Sequence, residues 1–100
     1  ISGSGPAYFF MLIELLESCA VELGLSAELA KELSIQTAYG ACKFARNVPE
    51  SPRELRENVT SPNGTTEAAL RVFAAEELDR IVKSAVTAAR DRSIELAKGN

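Results

Sequence analysis

A run of large apolar side chains near the start of the sequence constrains the fold more than any other feature. Residues 8–16 contain one charged side chain, Glu14, among eight that are aromatic or aliphatic: Tyr8, Phe9, Phe10, Met11, Leu12, Ile13, Leu15 and Leu16. A helix built from such a segment is apolar on every side and has to be buried on every side. About four other helices in 100 residues are too few to enclose it. We therefore expect a second chain or a further domain to cover part of this helix; the alternative is that several of its aromatic side chains remain half exposed.

Helical periodicity continues along the rest of the chain and predicts one all-α domain over residues 1–100. We expect a bundle of about five helices, at residues 6–23, at 27–46, from Pro52 onward, at 65–75 and at 78–98. No segment alternates between apolar and polar residues with period two over a useful length, so no strand is predicted.

Capping residues and small residues give the detail of these helices. Ser4 and Ser26 are the predicted N-caps of the first two helices, and Gly24 is predicted to end the first. Gly40 costs roughly 1 kcal/mol relative to Ala inside a helix, so we expect another helix to approach it closely. The predicted inner stripe of the second helix is Ala30, Leu33, Thr37, Gly40, Ala41 and Phe44, and that of the fourth is Ala68, Ala69, Val72 and Phe73.

Charge and composition exclude several classes of function. The net charge is −3 with acids and bases interleaved, which argues against nucleic acid or an anionic membrane as a partner. The absence of histidine excludes Ser-His-Asp and Cys-His catalysis and the usual zinc sites. Cys19 and Cys42 lie in apolar helical segments, so we expect two buried free thiols and a reducing, cytoplasmic compartment. The chain opens with Ile1, and neither a signal peptide nor a membrane-spanning segment is expected.

A polar segment between two predicted helices is the candidate binding site. It reads Ser61-Pro62-Asn63-Gly64-Thr65-Thr66. Pro62 fixes its own φ, while Asn63 and Gly64 tolerate positive φ, so a tight turn is predicted. Thr65 or Thr66 can cap the next helix, whose free backbone N–H groups would attract an anion. From local chemistry alone, a capped helix that binds nothing is the more frequent arrangement, and both alternatives remain open.

Two motifs resemble one enzyme family. The opening Ser2-Gly3-Ser4-Gly5-Pro6-Ala7-Tyr8 resembles the start of the C-terminal domain of pyrroline-5-carboxylate reductases. The segment from Pro52 through Leu55, Val59-Thr60-Ser61-Pro62-Asn63-Gly64-Thr65-Thr66 and Ala69-Leu70 is similar to that family's signature. The resemblance covers essentially the whole chain. It differs at Asn63, where the family usually has Gly, and at residues 74–78, where a frequent glycine break is missing and the boundary between the last two helices stays open.

The resemblance implies a function that the residues alone do not. Members of the family reduce pyrroline-5-carboxylate to proline with NADPH or NADH, which an N-terminal Rossmann domain binds. That domain is missing from this chain, which would be the dimerisation domain, with two long hydrophobic helices interlocking with a second subunit in a homodimer or higher oligomer. The resemblance assigns the substrate carboxylate to Ser61, Asn63, Gly64, Thr65 and Thr66, and it implies that the 100-residue chain alone is inactive. The alternatives are a non-enzymatic helical homodimerisation module and the helical domain of another dehydrogenase.

Overall fold

The computed structural model of the chain describes residues 1–99 and confirms an all-α architecture. Its helices are α1 at Gly5–Glu22, α2 at Ala27–Asn47, α3 at Pro52–Asn58, α4 at Thr65–Ala75 and α5 at Leu78–Ala97. No strand occurs in the described residues. The predicted helices agree with the observed ones to within one residue at the ends that the sequence defined. The chain divides into two compact units, Ile1–Arg53 and the residues that follow it.

In the first unit α1 packs on α2, and the corner between them is capped on both sides. Gly24 has a φ of 110°, which confirms its predicted role after α1. Its amide donates to the Val21 carbonyl at 3.0 Å, and the Leu25 amide donates to the Ala20 carbonyl at 3.0 Å, a Schellman motif. The Ser26 hydroxyl then accepts from the Leu29 amide at 3.2 Å, which confirms it as the N-cap of α2.

Ser4 occupies the N-cap position of α1 but forms no side-chain capping bond. Its ψ of −17° is already helical, whereas a capping side chain needs an extended backbone to reach the first-turn amides. The Ser4 hydroxyl instead lies 3.0 Å from the Tyr8 hydroxyl. Ser4 therefore lies at the predicted N-cap position, but the capping hydrogen bond expected from its side chain is not formed.

In the second unit α4 packs on α5, and the two helices are separate. The residue that separates them is Glu77, with φ 57° and ψ 49°, in the left-handed region that usually takes glycine. Its amide donates to the Ala74 carbonyl at 3.1 Å, and the Glu76 amide donates to the Val72 carbonyl at 2.9 Å. A glutamate here performs the helix-ending role of the missing glycine, which resolves the boundary that the sequence left open.

Large apolar side chains remain exposed in both units. Ala30 and Ser34 of α2 are buried, but no large side chain among the described residues is fully buried. Phe9 and Phe10 of α1 are 59% and 69% exposed, so the half-exposed alternative describes the single chain. Each long helix packs on one other long helix of its unit, which leaves most of its circumference open. No helix within residues 1–99 is long and apolar enough to cross a membrane.

The predicted inner stripes were mostly wrong for the single chain. Of the six predicted positions on α2 only Ala30 is buried, whereas Leu33 and Phe44 are exposed and nothing lies within 4 Å of a Cβ placed on Gly40. The side of α2 that is covered carries Ala30, Ser34, Ala38 and Ala45 instead. On α4 all four predicted positions, Ala68, Ala69, Val72 and Phe73, are exposed, and the half-buried residues are Thr66, Glu67 and Leu70.

Cys19 and Cys42 are free thiols, but both are exposed rather than buried. Their apolar neighbours in sequence lie on open helix faces, so an apolar context did not bring burial within this chain.

Candidate functional site

The candidate site begins where α3 ends. The Thr60 hydroxyl donates to the Arg56 carbonyl at 2.5 Å, and the Thr60 amide donates to the Glu57 carbonyl at 3.1 Å. These bonds satisfy carbonyl groups in the last turn of α3, which a helix C-terminus otherwise leaves free. The chain therefore leaves α3 in a fixed direction at Ser61.

Residues 61–64 form a closed β-turn, as the sequence predicted. The Gly64 amide donates to the Ser61 carbonyl at 3.1 Å. Pro62 holds a negative φ at the second position, and Asn63 has a φ of 62° at the third, the combination that a type II turn requires. Asn63 thus adopts the positive φ that was predicted for it.

Gly64 is favoured by limited space rather than by a positive φ. Its φ is −88° and its ψ is −176°, an extended conformation open to any residue. A Cβ placed on Gly64 would lie 3.2 Å from the Ser61 carbonyl oxygen and 3.4 Å from the Ser61 Cβ. The turn is therefore closed so tightly that a side chain at this position would press on Ser61.

The N-cap of α4 is Gly64, so the predicted capping role of Thr65 or Thr66 was wrong. Both threonines lie inside the helix because the tight turn places the extended residue one position earlier. Gly64 has no side chain to cap the first turn, and the first bond of the helix joins the Ala68 amide to the Gly64 carbonyl at 3.2 Å. The amides of Thr65 and Thr66 precede that bond and have no acceptor within the helix.

The predicted site residues therefore contribute in different ways. The structure brings all five together at the N-terminal end of α4: Ser61, Asn63, Gly64, Thr65 and Thr66. Gly64 and Thr66 are half-buried, whereas Ser61, Asn63 and Thr65 are exposed. The Gly64 amide is already used by Ser61, so Thr65 and Thr66 are the predicted site residues whose first-turn amides have no acceptor within the helix. Two N–H groups and a threonine hydroxyl at the positive end of a helix can bind a carboxylate.

Glu67 is a residue of this region that the sequence analysis missed. Its Oε1 accepts a hydrogen bond from the Asn63 amide at 3.1 Å and another from Arg71 Nη2 at 2.9 Å. An acidic residue three positions after the N-cap, Gly64, often reaches back to a free amide, and this spacing was the available signal. Glu67 therefore ties the turn to α4.

The glycine-rich opening and the metal-ligating side chains are the other features that bear on cofactor and metal binding. In the glycine-rich opening, the Gly5 amide donates to the Ile1 carbonyl at 2.6 Å, and Gly5 is buried beside the Ile1 side chain. That amide is thus occupied and cannot hold a phosphate. No group of three metal-ligating side chains occurs within residues 1–99. A shallow groove of about 330 Å³ in the first unit, lined by Glu17, Ser18, Val21 and Ala27, contains none of the predicted site residues.

Comparison with known proteins identifies the family. The family model for pyrroline-5-carboxylate reductase dimerisation matches residues 1–96. A Pseudomonas aeruginosa protein named pyrroline-5-carboxylate reductase is 50% identical over 98% of this chain and 36% of its own length.

Solved structures agree with the sequence relatives. A pyrroline-5-carboxylate reductase from Coxiella burnetii matches 96% of this chain and 36% of its own with a TM-score of 0.92 and 45% identity. A Plasmodium falciparum pyrroline carboxylate reductase with NADP bound matches 93% of this chain and 36% of its own with a TM-score of 0.89 and 36% identity. The chain thus spans about a third of the length of these relatives. It belongs to the pyrroline-5-carboxylate reductase dimerisation family.

Proposed function

We propose that this chain is the dimerisation and substrate-carboxylate part of an enzyme that reduces 1-pyrroline-5-carboxylate to L-proline. The observation that carries the proposal is the family match over residues 1–96, which includes the turn at residues 61–64 and the first turn of α4. The relatives that match almost all of this chain carry the name of that activity. The substrate has one permanent negative group, its carboxylate, and this turn offers the donors that such a group needs.

The five proposed site residues divide the binding of the carboxylate among them. The amides of Thr65 and Thr66 and the Thr66 hydroxyl donate to its oxygens, and the helix dipole adds roughly 0.3–1 kcal/mol. Ser61, Asn63 and Gly64 form the closed turn that leaves this end of α4 uncovered. Holding the carboxylate fixes the orientation of the ring imine, which is the contribution a protein makes when a cofactor performs the chemistry.

The cofactor is NADPH or NADH, and we assign it to an N-terminal Rossmann domain outside this chain. The assignment rests on the length of the relatives, of which this chain covers about a third, and on the NADP bound to the Plasmodium relative. When bound, the cofactor supplies the hydride that reduces the imine. The residues of this chain then hold and orient the acceptor.

We assign the exposed apolar faces to a second copy of this chain, in a homodimer or a larger homo-oligomer in the cytoplasm. Exposed apolar side chains occur on both helices of the first unit: Phe9 and Phe10 on α1, and Leu33 and Phe44 on α2. Several large, exposed apolar side chains on two packed helices are typical of an interaction surface rather than of an ordinary monomer surface. The match to a dimerisation family supports a like partner rather than an unrelated one.

Turnover by the full-length protein tests the proposal. The protein encoded by the complete reading frame should oxidise NADPH or NADH when pyrroline-5-carboxylate is added, and proline should appear in equal amount. The 100-residue chain alone should do neither, because the cofactor is assigned to a domain outside it. A full-length protein that forms dimers but gives no turnover with either nucleotide would contradict the enzyme and favour the non-enzymatic dimerisation module.

A further inference from the structure

We infer that Glu67 is a positioning residue for the carboxylate site, an inference that rests on the proposed function. It does not touch the substrate in this assignment. It holds the turn that brings the donors of α4 into place, through the Asn63 amide.

The geometry of Glu67 fits this role. Its carboxylate lies on the first turn of α4 and accepts from the Asn63 amide at 3.1 Å, across the turn that Gly64 closes. Asn63 is the turn residue with positive φ, so it is the one whose conformation is least stable without support. A second bond between the turn and α4 restricts how far the turn can move relative to the Thr65 and Thr66 amides.

A carboxylate beside an anion site normally weakens binding of the anion by repulsion. Here Arg71 pairs with the Glu67 carboxylate and reduces that repulsion. Arg71 Nη2 lies 2.9 Å from the same Oε1 that accepts from Asn63. The Glu67 side chain is 31% exposed and that of Arg71 is 72% exposed, so the pair lies at the edge of solvent. The arginine compensates the negative charge of Glu67 and fixes its side chain in the orientation that reaches the turn.

Three variants of Glu67 in the full-length enzyme distinguish the effect of side-chain length from the effect of charge. Glu67→Gln keeps the reach and the accepting oxygen but loses the charge. Glu67→Asp keeps the charge but is one methylene shorter, and Glu67→Ala loses both. We expect KM for pyrroline-5-carboxylate to rise roughly tenfold in the Asp and Ala variants and to stay within about twofold of wild type in the Gln variant. KM for NADPH should change by less than about twofold in all three.

Glu95→Ala on α5 is the matched control. It removes a carboxylate that lies 2.9 Å from Arg92 on the same helix, an exposed pair of the same length. It should leave KM for pyrroline-5-carboxylate unchanged. A Gln variant as impaired as the Ala variant, or an Ala variant with wild-type KM, would overturn the positioning role.

A second readout distinguishes failure of this inference from failure of the proposed function. Amide hydrogen exchange at Asn63, measured on the full-length protein, should accelerate at least about tenfold in the Asp and Ala variants and stay near wild type in the Gln variant. If the wild-type protein shows no turnover, the proposed function fails. If the exchange rate at Asn63 is unchanged in the Ala variant, the positioning role of Glu67 fails, whatever the turnover.

Discussion

The Thr66 side chain has the most direct individual role among the proposed substrate contacts. It is half-buried at the second position of α4, whereas Thr65 is exposed. Replacing Thr66 with Val keeps the shape and the backbone amide but removes the hydroxyl donor. One hydrogen bond to a charged group is worth about 1.5 kcal/mol, so we expect KM for pyrroline-5-carboxylate to rise roughly tenfold in the full-length enzyme. Steady-state kinetics check this, with Thr87→Val on α5 as the control; an unchanged KM would remove Thr66 from the site.

Gly64 gives a second test at the residue scale. The methyl group of Gly64→Ala would press on the Ser61 carbonyl, which already accepts from the Gly64 amide. The backbone angles of Gly64 suit alanine, so we expect the free energy of unfolding to change by less than about 1 kcal/mol. The turn should open, and KM for the substrate should rise several-fold. A normal KM measured beside an unchanged urea midpoint would contradict the tight contact.

Asn63 and Gly64 show how much of the conformation of a single residue can be predicted from sequence. The positive φ of Asn63 was predictable because Pro62 before it fixes the turn type. Gly64 was expected in the turn for its tolerance of positive φ, but its φ is negative, and its contact with Ser61 could not be predicted because it depends on where two backbone segments meet. The spacing of Glu67 from the N-cap allows a bond back to a free amide, but that the Asn63 amide is the partner depends on the Glu67 rotamer and on where the turn lies.

At the scale of elements, the corner between α4 and α5 is under more strain than the corner between α1 and α2. Glu77 adopts the left-handed conformation without the freedom of glycine, whereas Gly24 adopts it without cost. The Glu77→Gly variant removes this strain, and we expect it to stabilise the protein by about 0.5–1 kcal/mol, measured as a higher urea midpoint.

The same variant also removes an exposed ion pair, between Glu77 Oε2 and Arg80 Nε at 3.5 Å. Both side chains are more than half exposed, so the pair is worth little. Arg80→Ala is the control, because it removes the pair but keeps the backbone strain, and its midpoint should barely move. A glycine variant less stable than wild type would mean that Glu77 is held by something other than this strain.

Elements were the level at which the sequence was most informative. Gly24 and Ser26 end one helix and begin the next through hydrogen bonds that involve only residues near them in sequence. Such local interactions depend on residue type and spacing, so they could be predicted. The N-cap of α4 was assigned one residue or more too late because Thr has a side-chain oxygen that can accept from the first-turn amides, and Gly has none. Here the closed turn decided the position instead.

At the scale of the whole molecule, periodicity identified apolar faces but not their neighbours. The stripe with Leu33 and Phe44 on α2 was expected to be internal, and it is exposed in the single chain. A helical pattern reports that a face is buried somewhere, and it carries no information about which chain buries it. That is also why the apolar surroundings of Cys19 and Cys42 did not predict their exposure.

A charge introduced on α1 tests whether a second copy covers these faces. Phe10 is 69% exposed in the single chain, so Phe10→Asp would be nearly neutral in a monomer. In a two-fold symmetric interface the change occurs twice, and burying each unpaired carboxylate costs at least about 2 kcal/mol. We therefore expect the dimer dissociation constant to rise by roughly 10³ or more.

Sedimentation equilibrium or light scattering over a range of concentrations measures this shift. Lys83→Asp on α5 is the control: it changes the charge in the same direction at an exposed polar position, and it should leave the dimer intact. Loss of the dimer in the Phe10 variant alone would mean that the open face of α1 is buried by a like chain. If both variants remain dimers with equal dissociation constants, that face lies outside the interface, and the apolar surface of α1 needs another partner.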